Sequence, residues 1–276
     1  MSASNPIWHL VLGPNYRYYW GMNVDYARVK VVVFDIDGTL TQSKSEIFET
    51  TSRLLCSLLD RCDVAIISGA GLEQYKKQIL DFLNCRDLFS HLHLFPTNGA
   101  SYLKWNGHDW EYVYREIFSE SEKEKIRAAI CDIEKKHADI FDDSPSGPRL
   151  EDRGSAMTFS VLGQDADYDK KQLWDPEGSR RAILAAELSR HLSEFEVRIG
   201  GTTSLDITRR GVDKAYAIRK IQNYLGVLHD EVLYVGDSFG EFGNDKPVES
   251  MGIRVEKVLG PHETERLIET IINSSK

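Results

Sequence analysis

The amino-acid sequence predicts an α/β fold, a doubly wound parallel (Rossmann-like) core with an inserted α+β cap domain. Three observations predict it. β-branched and aromatic runs at 29–34, 64–67 and 231–235 show little polar alternation, as expected of parallel strands covered on both faces. Helical periodicity separates the first two runs, and strand, helix, strand in one sheet implies a right-handed crossover. From 100 to 201 the texture changes to alternating strands interleaved with helices, a pattern that suits a second layer with its own core.

Residues 1–28 precede the first strand and are rich in aromatics (Trp8, Tyr16, Tyr18, Tyr19, Trp20 and Tyr26), which reads as an N-terminal extension packed on the main domain or as a docking segment. The strand at 29–34 runs into an acidic turn at 35–38. Over 46–61, Ile47, Leu54, Leu55, Leu58 and Leu59 recur at helical spacing. A strand at 64–67, the turn Ser68-Gly69-Ala70-Gly71, a helix at 72–83 and a short strand at 93–95 follow, closed by Pro96-Thr97-Asn98-Gly99. Alternation on either side of Asn106-Gly107 then signals a hairpin. A charged helix near 119–137, a Pro/Gly loop at 144–148, strands at 156–162 and 196–199 and a helix near 176–193 complete the insert. After 204–207 the first pattern returns, with a helix at 213–225, the strand at 231–235 ending in Gly236-Asp237, a strand at 253–255 and a helix at 261–273. The expected divisions are an extension at 1–28, a core at 29–99 and 202–276, and an inserted cap at 100–201. Asn98-Gly99 and Gly200-Gly201 would then be the hinges.

Composition narrows the function. Of 276 residues, 41% are hydrophobic and 28% charged, the balance of a soluble globular chain. Lys and Arg number 34 against 43 Asp and Glu, a formal charge of -9, which argues against a nucleic-acid or anionic-membrane partner. Positive charge that binds an anionic substrate must therefore be local. No apolar run approaches the roughly 20 residues needed to span a bilayer, and no secretory signal is visible. Cys56, Cys62, Cys85 and Cys131 fall at irregular spacings and read as reduced thiols. A cytoplasmic address is expected.

In an open parallel sheet, ligands bind beyond the carboxyl ends of the strands. Three such ends carry reactive groups. The segment VVVFDIDGTLT places Asp35 and Asp37 just after a buried strand, and GDSFGEFGND supplies Asp237, Asn244 and Asp245. Carboxylates converging on one site repel unless a cation neutralises them, and hard oxygen ligands suit magnesium. Ser68 and Gly69 offer a hydroxyl and backbone N–H groups ahead of a helix, a recipe for an anion. Lys214, opening a later helix, can reach phosphate as a point charge. Together these groups form a phosphoryl-transfer site.

In that order, DIDGTLT, the Ser68 turn, Lys214 and GD followed by ND, the sequence resembles the haloacid dehalogenase superfamily, and the insert resembles the α/β cap of its sugar-phosphate branch. The resemblance implies that Asp35 is the nucleophile and Asp37 the acid/base. It implies that magnesium sits between the carboxylates of Asp35 and Asp237 and the main-chain carbonyl of Asp37, supported by Asn244 and Asp245, with Ser68 and Lys214 on the phosphoryl oxygens. Within the branch, DIDGTLTQSK, PTNGASY, EDRGSAMTFSVLGQD, IGGTTSLDITRRGVDK and GDSFGEFGND look most like eukaryotic-type phosphomannomutases. That likeness implies that Arg153, Ser204 and Asp206 lie near the sugar, and it mildly favours a homodimer through the cap.

The departures bear on activity. The mutase pattern has arginine where this chain has Lys44, Gln164 and Lys171, and only Arg153 keeps its type. Arginine grips phosphate with a bidentate fork and lysine does not. A weakened clamp favours one-way hydrolysis, because a mutase must hold one phosphate while the other end of the sugar reacts. The leading expectation is a magnesium-dependent phosphohydrolase acting on a small phosphorylated sugar or similar metabolite. A hexose phosphomutase clamped by Arg149, Arg180 or Arg181 is the alternative, and a non-catalytic binding protein is a remote third.

Overall fold

The computed structural model describes residues 26–141, 144–240 and 243–274. The expected extension therefore lies outside the described residues as far as position 25. The first half of the chain forms β1 (Val31–Phe34), α1 (Glu49–Leu59), β2 (Asp63–Ile67), α2 (Leu72–Gln78), β3 (Leu92–Phe95) and the hairpin β4 (Ser101–Trp105) and β5 (Trp110–Arg115). Then come α3 (Glu120–Lys136), β6 (Leu150–Asp152), β7 (Ala156–Ser160), α4 (Tyr168–Trp174), α5 (Ser179–His191), β8 (Phe195–Ile199) and β9 (Ser204–Arg209). The chain closes with α6 (Lys214–Leu225), β10 (Val232–Gly236), α7 (Lys246–Glu249), β11 (Arg254–Lys257) and α8 (Pro261–Asn273).

Seven strands form the core sheet in the order β11-β10-β1-β2-β3-β4-β5, parallel from β11 to β3 and antiparallel thereafter. All four residues of β1 are buried because alternate side chains feed different layers. Val32 and Phe34 pack with Leu55 and Leu58 of α1 and Ile268 of α8, whereas Val31 and Val33 pack with Ala217 and Ile221 of α6 and Val248 of α7. Helices cover both faces, which is why this strand reads as a continuous apolar run.

The cap is a separate antiparallel sheet, β6-β7-β9-β8, whose inner face (Met157, Phe159, Leu205, Ile207) packs on α3 and α5 through Ile126, Ile130, Leu184 and Leu188. Helix α3 begins at a capping box in which the Ser119 hydroxyl accepts from the Glu122 N–H and the Glu122 carboxylate accepts from the Ser119 N–H.

Sheet membership corrects the expected boundaries at both ends. The Asn106-Gly107 hairpin forms, but β4 pairs with β3 (His93 opposite Lys104) and extends the core, with Tyr102 and Leu103 buried in its two apolar layers. At the other end, Ser204 to Arg209, placed in the core from sequence, pairs with β7 and β8 inside the cap. An alternating hairpin carries no local mark of which sheet it will join. Neither proposed hinge lies at a crossing. Gly99, at φ +88°, packs against Ala217 within the core, and Gly200-Gly201 turns between two cap strands. The chain crosses at 116–119 and 210–213, where Tyr216 donates its hydroxyl to Glu116 and Arg209 donates to the Ile117 carbonyl at 3.0 Å.

The cysteine expectation is also corrected. Cys56 of α1 and Cys85 form a disulfide with Cα atoms 5.8 Å apart, while Cys62 and Cys131 are free. The irregular spacing concealed this pair because α1 and the segment after α2 meet only once α1 packs under the sheet. No helix among the described residues is long and apolar enough to cross a membrane.

Candidate active site

The carboxyl ends of β1, β2 and β10 meet beneath the cap and floor a cleft of about 1190 Å³. Asp35 leaves β1 with its N–H on the Val235 carbonyl at 3.1 Å. Its Oδ1 accepts from the Ile36 N–H at 2.7 Å, and its Oδ2 lies 2.7 Å from Lys214 Nζ. Lys214 stands in the first turn of α6, where the Asp213 side chain caps the helix by accepting from the Tyr216 N–H at 2.8 Å. The lysine is fully buried, and its ammonium also reaches Asp245 Oδ1 at 2.5 Å and Asn244 Oδ1 at 3.1 Å.

Asp245 has both oxygens committed. Oδ1 accepts from Lys214 and from the Tyr234 hydroxyl at 2.5 Å, and Oδ2 accepts from the Ser238 N–H at 2.9 Å. It holds Lys214 and the turn after β10 from below, and neither Asp245 nor Lys214 lines the cleft. Asp237 is exposed to the cleft and accepts from the Thr39 hydroxyl at 3.3 Å. Gly38, at φ +78°, is required twice over, since a Cβ there would overlap the Asp237 carboxylate.

Electrostatics follow from this packing. Burial drives the Asp35 carboxyl upward, Lys214 pulls it back and Asp245 pushes it up again. Burial alone would lower Lys214, but the carboxylates of Asp35 and Asp245 outweigh it and leave the lysine raised. Burial likewise raises Asp237, with Asp245 adding to it. One oxygen from each of Asp35, Asp237 and Asp245 lies within 4.8 Å of the others. When these ionise, Lys214 balances one of the charges and two remain. That surplus and an all-oxygen donor set fit a hard divalent cation such as magnesium.

Asp37 is placed differently from Asp35. Its Oδ1 accepts from the Lys44 N–H at 2.7 Å and from Gln78 Nε2 at 3.0 Å. Gln78, a residue missed in the sequence, is buried on the inner face of α2 beside Tyr75 and Ile79. A polar residue on that apolar face was the available signal. Ser68 is buried at the end of β2 and its hydroxyl accepts from the Ala70 N–H at 3.2 Å, with Gly69 beside it on the cleft wall.

The cap closes the cleft with Arg153, Gln164, Lys171, Ser204 and Asp206. Arg153 is shared between domains, donating to the Gly69 carbonyl at 3.1 Å and to Glu151 at 2.8 Å. Asp206 accepts from the Thr158 hydroxyl at 2.7 Å, and burial raises its pKa against the pull of Arg153. Lys171 Nζ donates to the Gln164 carbonyl at 2.8 Å, and burial followed by repulsion from Lys44 lowers its pKa. Core Lys44 and cap Lys171 therefore face each other closely enough to interact. None of the alternative arginines enters the cleft. Arg149 binds Glu134 and the Val161 carbonyl, Arg181 binds Asp175 and the Gly201 carbonyl, and Arg180 lies over Trp174. Arg115 of β5 does line it, over the Tyr112 ring at 4.5 Å, and neither residue carries a mark in the sequence that points to the cleft.

A family profile described as Eukaryotic phosphomannomutase matches residues 51–274. Among curated proteins, the phosphomannomutase of Encephalitozoon cuniculi is 29% identical over 222 residues, covering 78% of this chain and 82% of that protein. The phosphomannomutase of Saccharomyces cerevisiae is 23% identical over 252 residues, covering 88% and 94%. Solved structures share the fold. A C-terminally truncated Plasmodium falciparum IMP-nucleotidase superposes with a TM-score of 0.67 at 14% identity, over 90% of this chain and 72% of that one. Aspergillus fumigatus trehalose-6-phosphate phosphatase gives 0.57 at 19%, over 90% and 95%. The chain belongs to the eukaryotic phosphomannomutase family, within the haloacid dehalogenase superfamily of phosphatases and phosphomutases.

Proposed function

We propose that the chain is a magnesium-dependent phosphohydrolase that removes phosphate from a small phosphorylated sugar or similar metabolite through an aspartyl-phosphate. In this reading Asp35 attacks phosphorus, Asp37 protonates the departing alkoxide and later takes a proton from the attacking water, Ser68 holds a phosphoryl oxygen, and Lys214 steadies the Asp35 carboxylate from beneath the cleft. Asp35, Asp237 and the Asp37 carbonyl would hold magnesium, with Asn244 and Asp245 behind them. When bound, the ion neutralises charge on the transferring group. Ser204 and Asp206 suit sugar hydroxyls, and Arg153, Lys44, Gln164 and Lys171 form the distal wall.

The observation that carries hydrolysis is the make-up of that wall. Its one arginine from the expected clamp is already engaged by Glu151 and the Gly69 carbonyl, and beside it stand two lysines and a glutamine. Such a wall supplies charge without a free bidentate fork, so an intermediate held there escapes before it can turn around. Phosphate release from a panel of sugar phosphates, with and without magnesium, tests the reading. Efficient interconversion of mannose 6-phosphate and mannose 1-phosphate with no release would overturn it.

Two observations favour a second reading as a hexose phosphomutase: the relatives carry that name, and Arg115 brings an unanticipated guanidinium to the cleft. Strict dependence on a hexose bisphosphate would support it. Pairing through the cap belongs to either reading, since Tyr168 and Leu173 of α4 are 72% and 80% exposed. A cytoplasmic setting belongs to both as well.

A further inference from the structure

We propose that Gln78 is a positioning residue for the acid/base carboxylate, and that it fixes which oxygen of Asp37 carries the proton. The inference rests on the assignment of Asp37 above. The Gln78 amide nitrogen points at three acceptors, Asp37 Oδ1 at 3.0 Å, Thr41 Oγ1 at 3.1 Å and the Ser45 carbonyl at 3.1 Å. Its own Oε1 is buried with no hydrogen-bond partner. Reversing the amide would aim that oxygen at the Asp37 carboxylate and the Ser45 carbonyl, so the fold keeps the orphaned oxygen in preference to a repulsive contact.

The second donor to Asp37 Oδ1 depends on the same residue. Lys44, whose N–H makes the 2.7 Å bond, sits at φ +56° in a loop that Gln78 ties down at Thr41 and Ser45, while the Gln78 carbonyl accepts from the Ile47 N–H at 2.8 Å. Two N–H groups thus converge on Oδ1, and a proton there would collide with both. The neutral acid must carry its proton on Oδ2. Losing Gln78 removes one donor, loosens the loop that supplies the other and lets the proton reside on either oxygen.

A misplaced general acid slows departure of a poor leaving group far more than of a good one, which leaves without protonation. A residue needed only for folding or substrate affinity shows no such dependence. The test uses the full chain with magnesium and measures kcat/KM, which reports the first phosphoryl transfer, for aryl phosphates from p-nitrophenyl to phenyl phosphate and for mannose 6-phosphate. In Gln78→Met the loss should grow with leaving-group pKa, from under about 3-fold for p-nitrophenyl phosphate to about 30-fold or more for the sugar phosphate, carried by kcat with KM little changed. Gln78→Glu, of the same size but with an acceptor facing Asp37, should show the same trend and guards against a folding defect in the first variant. Equal losses across the series, or none, would overturn the inference and leave the hydrolase reading standing. No phosphate release from any ester by the wild-type chain would overturn both.

Discussion

The floor and the roof of the cleft solve the same electrostatic problem in opposite ways. On the floor, Asp35, Lys214 and Asp245 are buried, and each is bonded to named partners. Taking such charges out of water costs several kcal/mol per ion, and the cost is met only when the bonds are complete and rigid. On the roof, Lys171, Gln164 and Arg153 keep partial contact with solvent and rest mainly on backbone carbonyls. These side chains can be exchanged at small cost. The floor is thus built for chemistry that cannot vary, and the roof for a choice of substrate that can.

The largest effects should come from the floor. Asp35→Asn removes the nucleophile and is expected to lower turnover by roughly 10⁴-fold or more with little loss of stability, measured as phosphate release. Lys214→Met should be as damaging to activity, and it should also lower unfolding free energy by about 3–5 kcal/mol in urea titration, because two buried carboxylates lose their shared cation. A Lys214→Met chain as stable as wild type would break the comparison, since the floor would then tolerate exchange as the roof does.

The roof should respond gently. Lys171→Arg puts a planar fork opposite Lys44 and should tighten a phosphate held at the distal wall, lowering KM by roughly 3- to 10-fold, on the order of 1 kcal/mol, with kcat changed less. If the clamp decides the fate of the intermediate, the same exchange should also raise isomerised sugar phosphate relative to released phosphate. An unchanged product ratio would separate affinity from partition and leave the wall as a specificity device alone.

The two regions also differed in how far the sequence disclosed them. Asp35, Asp37, Ser68, Lys214 and Asp237 were legible because each stands in a strand-end turn or helix start whose position follows from local pattern. Lys214 and Asp245 proved to support the floor from beneath the cleft, because strand-end position does not reveal whether a side chain faces the ligand or the layer below. Gln78 stayed hidden, since its partners lie more than thirty residues away in the chain. Arg115 stayed hidden with the hairpin that carries it, which joined the core sheet instead of the cap. What local pattern cannot supply is the pairing of distant segments, and the roof residues Arg153, Gln164, Lys171, Ser204 and Asp206 were reached through the family likeness instead.

The Cys56–Cys85 bond gives the smallest expected effect on turnover and a large one on stability. It joins α1 to the segment after α2, closing a stretch of 29 residues, and such a loop contributes about 3–4 kcal/mol by the chain-entropy account. The neighbourhood has other fastenings. The Ser52 hydroxyl donates to the Phe82 carbonyl at 2.8 Å, and the Ile47 N–H donates to the Gln78 carbonyl at 2.8 Å. Reduction should therefore leave Gln78 in place and turnover within about 2-fold. Cys62 packs against the same apolar cluster, but burial pushes its thiol up to about 12, so it supplies almost no thiolate to exchange with the bond. Urea titrations of oxidised wild type, reduced wild type and Cys56→Ser should give one high midpoint and two equal lower ones, with similar phosphate release from all three. Chain taken from a reducing cytoplasm and unfolded in urea should label at all four cysteines, and oxidation in air before unfolding should protect only Cys56 and Cys85. A fall in turnover on reduction would mean that the floor depends on this bond through α2, and would move the boundary between invariant and exchangeable structure outward from the cleft.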